Sequence, residues 1–276
     1  MSLIGYWATL QLIRIKDKLG AKMGGIMKTL SILLGGFLLL ILSTVSNAAQ
    51  MTKDCPNCPD MVQIPAGSYQ TRGDAPHRVT FAQPFLMSAT LITQGQWRTV
   101  MGNNPSSFKS CGDACPVENV SWEEAQVFIL RLNAKTGKHY SLPSETQWEY
   151  ACVGRTNINY CGSNNVSSIA WYKENSDNST HPVATKRPND WGLFDMNGNV
   201  WEWLEDCYHE SLKGAPSNGS AWEDAMVPEQ SKTCPSRVLR GGAWNNSADE
   251  LEVSKRSADD PHAHSNSVGF RVVRIN

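Results

Sequence analysis

Eight cysteines, at positions 55, 58, 111, 115, 152, 161, 207 and 234, constrain this chain more than any other feature. All of them follow an apolar run, Leu30–Val45 (LSILLGGFLLLILSTV), preceded by Lys28 and followed by Ser46-Asn47-Ala48-Ala49. A charged lead, an apolar core and small residues at its end read as a secretory signal. Cleavage after Ala48 fits best, with Ser46 and Ala48 as the small pair, and Met27 is the more natural start. An uncleaved signal anchor is the alternative, although the run is short for a span. No cysteine stands at the cleavage point, so a bacterial lipid anchor is not indicated. An even cysteine count in an exported chain reads as disulfides and places the protein in the periplasm or outside the cell. Sequence proximity suggests Cys55–Cys58, Cys111–Cys115, Cys152–Cys161 and Cys207–Cys234 among the roughly 105 connectivities that eight cysteines formally allow. The CPNC at 55–58 has two other readings, a redox dithiol or half of a zinc site. No second CxxC exists and no βαβ pattern follows, so a structural bridge is preferred.

The rest of the composition mainly excludes. A net charge of -1 gives no electrostatic argument for nucleic acid or an anionic membrane surface. Ten tryptophans point to a core fixed by aromatic packing in a loop-rich fold, rather than to a ligand platform. Residues 1–48 are read as lead and signal and 49–60 as a linker. From 61 to 276 one domain of about 215 residues is expected, with no repeat and no low-complexity break.

Within that domain, MVQIPAGSYQ reads as a strand ending in a Gly turn, and HRVTFAQPFLMS as a strand pair. Ser121 with Glu124 makes a capping box, and Val120 is placed to staple onto Ala125. Trp122, Ala125, Phe128, Ile129 and Leu132 then share one helical face that ends near Gly137. A second helix begins at Ser144 with Gln147 in its third position, its inner side carrying Trp148, Ala151 and Cys152. Beyond about residue 153 the chain is rich in Asn, Ser, Gly and Pro. A stable fold must tie such a half down by bridges, buried tryptophans or bound ions.

Seven blocks then occur in order: MVQIPAGSY, TQGQWRTVMGNNPS, PVENVSWEEAQVFILRLN, LPSETQWEYA, GLFDMNGNVWEW, RVLRGGAW and a terminal GFRVVR. Together they resemble the formylglycine-generating enzyme (sulfatase-modifying factor) family over about residues 61–275. The resemblance implies an α+β, loop-rich fold related to C-type lectins, with few helices and short antiparallel strands. It also implies a structural calcium in the DMNGNVWEW loop. Carried over position by position, the ligands are Asp195 through its carboxylate and Met196, Gly198 and Val200 through backbone oxygens, hard donors of the kind calcium prefers. Glu202 is an anionic neighbour. The other reading is a plain Asn197-Gly198 turn leading into a Trp-packed strand. The family's second calcium site starts at Ser168-Ile169 here and finds no acidic partner.

The family's enzymes oxidise a substrate cysteine to formylglycine with two cysteines that bind copper, and these lie between the Gly-Gly turn and the terminal GFR. Here the interval Gly242–Gly269 contains no cysteine, and Ala243 replaces the Ser that usually follows the glycines. Without a thiolate pair nothing in this block offers the soft ligands copper(I) needs, so copper is not expected. Catalysis is not assigned to any residue. His262-Ala263-His264 places two imidazoles on one side of an extended segment, a metal half-site or else two exposed loop histidines. The His triad of the iron-dependent sulfoxide synthases in this superfamily does not appear.

What remains is a binding scaffold. Arg240, Gly241, Gly242 and Arg271 are expected to knit the RGG turn to the GFR strand, with Trp244 flooring a pocket between them. Trp244, Asn245, Asn246, His262, His264 and Asn266 are the candidate ligand-binding residues, on a polar segment suited to adaptable contacts; a plain solvated loop is the alternative. The SADD and HAHSNS runs are Asn-codon replacements at adenines. They resemble the variable region of retroelement-diversified proteins, which display loops on this lectin-like fold. The expected ligand is a protein or small molecule, not nucleic acid. The chain is read as a monomer with no membrane span once the signal is removed. The competing readings are a divergent oxidoreductase and a maturation factor for a neighbouring enzyme.

Overall fold

A computed structural model describes residues 51–156, 158–224 and 234–275. The signal-like run and its cleavage site lie outside them.

Three helices carry their own start and stop signals. Helix α1 (Gln94–Met101) opens on Thr93, whose side chain accepts the Gln96 N–H while Gln96 caps the Thr93 N–H in return. Helix α2 (Trp122–Thr136) repeats the arrangement with Ser121 and Glu124 and ends at Gly137, φ 66°. Helix α3 (Glu145–Val153) repeats it again with Ser144 and Gln147. Each such box satisfies two backbone donors that the helix itself leaves free. The first of them, Thr93-x-x-Gln96, marks its helix start by the same three-residue spacing as the other two.

The larger sheet has five strands in the order β1-β2-β5-β11-β6, comprising β1 (Met51–Thr52), β2 (Met61–Ile64), β5 (Phe85–Ser88), β6 (Tyr140–Ser141) and β11 (Val273–Arg274). The C-terminal strand β11 lies between β5 and β6, antiparallel to both. Strands β3 (Gly67–Gln70) and β4 (Arg78–Phe81) form a separate antiparallel pair. A four-stranded sheet, order β10-β7-β8-β9, runs through β7 (Trp201–Cys207), β8 (Arg237–Arg240), β9 (Ser257–Asp259) and β10 (Val268–Gly269). The fold is α+β, with few helices and short, mostly antiparallel strands. One pair departs from that reading, since β10 runs parallel to β7.

The expected linker is not one. Thr52 pairs with Met61 across β1 and β2, Cys58 is 1% exposed, and Arg274 holds Asp54 through two bonds of 2.7 Å. These contacts make residues 51–60 part of the domain.

Trp97 of α1 stacks on Phe128 of α2 with ring centroids 5.4 Å apart, and Phe270 closes on Phe128 edge-on. Burying each such aromatic stabilises the fold by roughly 1.5–3 kcal/mol. Helix α3 departs from the expected one-sided pattern. Glu145 and Glu149 are buried along with Trp148, Ala151 and Cys152, so its polar face is internal too. Buried carboxylates need partners, and the charge network described below supplies them.

The irregular half is held by bridges and amides. All four expected disulfides are present, Cys55–Cys58, Cys111–Cys115, Cys152–Cys161 and Cys207–Cys234. Asn189 donates to the Ala151 carbonyl and accepts the Trp191 and Leu193 N–H groups. Asn197 accepts from the Cys161 N–H and donates to the Leu251 carbonyl. Single amide side chains thus satisfy backbone groups that no regular element covers. Four disulfides suit an extracellular or periplasmic protein. Among the described residues no helix is long and apolar enough to cross a membrane.

Candidate functional site

Strand β8 ends at Arg240, and the next two residues turn sharply, with φ 97° at Gly241 and 76° at Gly242. A side chain there would be crowded as well as strained. A Cβ on Gly241 would stand 3.2 Å from the Met196 carbonyl oxygen, and one on Gly242 would stand 2.8 Å from Leu251 Cδ1. Ala243 follows, fully buried, its N–H held by Asn246 Oδ1.

The DMNGNVWEW loop docks directly on this turn. The Gly198 N–H donates to the Gly241 carbonyl, and the Trp244 N–H donates to the Asn199 carbonyl, both at 2.9 Å. Asp195, Gly198 and Asn199 take left-handed φ values of 53°, 74° and 63°. Asp and Asn tolerate that region because their short polar side chains bond locally. At Gly198 only glycine fits, since a Cβ would lie 2.2 Å from the Trp171 carbonyl oxygen.

Asp195 is buried. Its Oδ2 accepts the Ala184 N–H at 2.8 Å, while its Oδ1 has no hydrogen-bond partner. Burial pushes this carboxyl above its usual range, against the Ala184 hydrogen bond and the Arg271 charge. A buried carboxyl oxygen without a hydrogen-bond partner is a donor suited to a cation, and Glu118 Oε2 and Glu202 Oε1 share that state. Glu202, the expected anionic neighbour, lies near enough to Asp195 for each charge to feel the other, and its Oε1 also has no hydrogen-bond partner. It pairs with Arg271 Nε at 2.6 Å, both side chains fully buried.

Arg240 does not reach the GFR strand. Its guanidinium pairs with Glu145 at 3.2 Å and Glu149 at 3.4 Å and donates to the Val253 carbonyl at 2.7 Å. Arg271 fastens its own strand by donating to the carbonyls of Ser88, Phe194 and Asp195. The two arginines therefore anchor different segments, Arg240 to α3 and the Val253 carbonyl, Arg271 to Glu202 and the carbonyls of Ser88, Phe194 and Asp195. Arg256 grips Glu145 by two bonds of 2.6 and 2.9 Å, and Asp206 accepts the Glu145 and Trp222 N–H groups. Burial raises Glu149 to about 7 and Asp206 to about 8. This internal network was missed in the sequence because its members lie far apart in the chain and meet only through packing.

Trp244 spends all its polar groups internally. Its indole N–H donates to the Asn266 carbonyl and its own carbonyl accepts the Ser176 hydroxyl, while its ring meets Phe108 edge-on at 5.3 Å. Asn246 bonds within its own turn, donating to Glu250, and its carbonyl accepts the Lys173 N–H. Trp244 and Asn266 are thus brought together, Asn246 is a staple of the turn, and Asn245 stands exposed. His262 and His264 leave this group. They face Glu123 and Glu124 in the first turn of α2, each at 3.0 Å, so the two imidazoles of the HAH segment contact separate carboxylates.

The segment between RGG and GFR is consequently not the loosely held loop expected. Leu251 and Val253 are buried, Ser247 and Glu250 form a capping box around a short turn, and residues 257–259 pair with β8. Its outer side chains remain available for contact, but its backbone is fixed.

A loop-rich α+β scaffold with an RGG turn locked against a DMNGNVWEW loop defines the formylglycine-generating-enzyme fold, related to C-type lectins. The sulfatase-modifying factor enzyme 1-like domain (FGE-sulfatase) matches residues 47–276, and the chain belongs to that family. It is 29% identical over 273 residues to a chaperone protein, LppX, of Paenibacillus barcinonensis, covering 78% of this chain and 89% of that one. Among solved structures it resembles PvdO from Pseudomonas aeruginosa, with TM-score 0.72 and 28% identity over 84% of this chain and 100% of that one. It also resembles Treponema denticola variable protein 1, with TM-score 0.71 and 27% identity over 83% of this chain and 99% of that one.

Proposed function

We propose that this protein is an exported, non-catalytic member of its family, a binding or accessory module that carries one structural calcium. The observation that carries the reading is where the sulfur is. All eight cysteines are joined in four disulfides, none of them between Gly242 and Gly269. The donor set therefore does not fit a two-thiolate copper(I) centre, and no oxidation step is derived through one. What the RGG turn presents instead is a braced surface, with Asn245 and Asn266 outward beside Trp244. Likeness to a protein named as a chaperone favours accessory work on another protein over chemistry on a small substrate.

The deciding experiment is an oxidation assay on a CxPxR peptide with copper supplied. No turnover above a metal-free blank is expected, and turnover would overturn the reading. For the calcium, Asp195 would supply the carboxylate and Met196, Gly198 and Val200 the backbone oxygens, the ion offsetting the partnerless Oδ1. Thermal unfolding with calcium and then with a chelator tests this. A shift in Tm that vanishes in Asp195→Ala is expected, and equal curves would remove the ion from the account.

A second reading has one observation in its favour, the likeness to a protein named as variable. On it, the outward residues of 245–266 are a diversified display surface. A near-identical template copy and a reverse transcriptase gene beside this one are expected; a neighbourhood holding neither ends that reading.

A further inference from the structure

Asn199 uses its backbone and its side chain alike to join the DMNGNVWEW loop to the Trp244 surface. The residue is fully buried and left-handed, with φ 63°. Its N–H donates to the Trp171 carbonyl at 2.7 Å, and its carbonyl accepts the Trp244 N–H at 2.9 Å. Its side-chain amide clasps the His181 main chain, Oδ1 accepting the N–H at 3.2 Å and Nδ2 donating to the carbonyl at 3.0 Å. The path then closes on itself. His181 Nε2 donates to the Ser176 carbonyl at 2.7 Å, and the Ser176 hydroxyl donates to the Trp244 carbonyl at 2.8 Å. His181 also stacks on Trp171 with ring centroids 3.8 Å apart. Stretches far apart in the chain thus form one hydrogen-bonded ring, with Asn199 as its member from the loop.

Asn199 also stands between Gly198 and Val200, whose carbonyls are two of the expected calcium ligands. A peptide group is planar, so fixing a carbonyl fixes the N–H of the next residue. The Gly198 carbonyl shares its plane with the Asn199 N–H, which holds Trp171. The Val200 carbonyl shares its plane with the Trp201 N–H, which donates to the Ser267 carbonyl at 2.8 Å. Ser267 follows Asn266, whose carbonyl accepts the Trp244 indole N–H at 3.1 Å. A calcium ion drawing on both carbonyls would hold both planes, and with them the backbone that supports Trp244 from either side.

We infer that Asn199 couples the Asp195–Val200 loop to the Trp244–Asn266 surface, so that calcium in the loop orders the surface a partner would meet. The inference rests on the calcium reading above and adds to it a regulated binding surface. Asn199 is a positioning residue in this scheme, linking the loop to Trp244 by its carbonyl and to His181 by its amide. Coupling between two sites is reciprocal. Whatever loosens Trp244 must therefore weaken calcium binding, although Trp244 lies outside the expected ligand set.

The test is calcium titration of the purified chain by calorimetry, paired with amide exchange read by mass spectrometry in calcium and in chelator. Calcium is expected to slow exchange on the order of tenfold in peptides carrying His181, Asn199, Trp201 and Trp244, while α2 is unchanged. Asn199→Gly keeps the left-handed backbone and its carbonyl but removes the clasp on His181. It is expected still to bind calcium and to lose the protection at His181. Trp244→Ala is expected to weaken calcium binding on the order of tenfold. Gly137→Ala, at the end of α2, is the control for a general loss of stability and is expected to leave the affinity unchanged. Calcium binding with exchange at His181 and Trp244 unaltered, with His181 still protected in Asn199→Gly, or with full affinity in Trp244→Ala would each overturn the coupling and leave the calcium reading standing. An absence of calcium binding would overturn both.

Discussion

The Gly198 N–H donates to the Gly241 carbonyl at 2.9 Å, and this bond joins the two loops that define the site. Gly198→Ala must place its Cβ 2.2 Å from the Trp171 oxygen at φ 74°. Backbone has to move to admit it, so a loss of about 3 kcal/mol or more is expected. Gly137→Ala is the control, with a left-handed φ of 66° and nothing within 4 Å of the new atom. It is expected to cost only about 1 kcal/mol, the conformational term alone. Urea denaturation of both variants checks the difference, and equal losses would show that the close approach at Trp171 is not decisive.

Arg240 is 1% exposed and faces two buried carboxylates. Arg240→Met strands Glu145 and Glu149 without that partner, although Arg256 still holds Glu145. Removing one member of a buried charge network costs roughly 3–5 kcal/mol. Adding Glu149→Gln to Arg240→Met is expected to recover part of that loss, because a neutral amide is cheaper to bury than an unpaired charge. A double variant less stable than the single one would contradict the assignment of the cost to the stranded charge.

The same network sets a pH dependence. Glu149 is raised to about 7 and Asp206 to about 8, both chiefly by burial. A carboxyl whose folded value lies above its unfolded one binds its proton more tightly in the native state. The resulting stability is fully present below the unfolded carboxyl range and is lost as pH rises through 7 and 8. These two groups should therefore make Tm fall between about pH 5 and 8.5, and Asp206→Asn should flatten the upper part of that fall. Scanning calorimetry across the range checks the slope, and a rising Tm unaffected by Asp206→Asn would contradict it.

Trp244 ties Asn199, Ser176 and Asn266 to one indole residue. Trp244→Ala is expected to speed amide exchange across 244–250 and at 266–268 while leaving α2 protected. Hydrogen exchange read by mass spectrometry distinguishes this from global loosening, in which α2 would lose protection equally.

Much of this was legible in the residues themselves. The capping boxes at Ser121 and Ser144 act through neighbours three positions apart, and the four short-range cysteine pairs are joined as their spacing suggests. The departures are equally specific. Residues 49–60 read as a linker because nothing local shows that Asp54 meets Arg274 near the C-terminal end of the domain. His262 and His264 read as a possible pair because strand geometry puts them on one side; only the packed position of α2 supplies each with its own carboxylate.

The sequence by itself determined the helix ends, the bridges, the family and the absence of any cysteine between Gly242 and Gly269, since these depend on residue identity and on short-range bonding. Only the tertiary structure decided that Arg240 would serve α3 instead of the GFR strand, and that Asp195 would keep one carboxylate oxygen without a hydrogen bond. The physical reason is burial. A charge taken out of water must take whichever partner packing brings within about 3 Å, and that partner here lies scores of residues away along the chain.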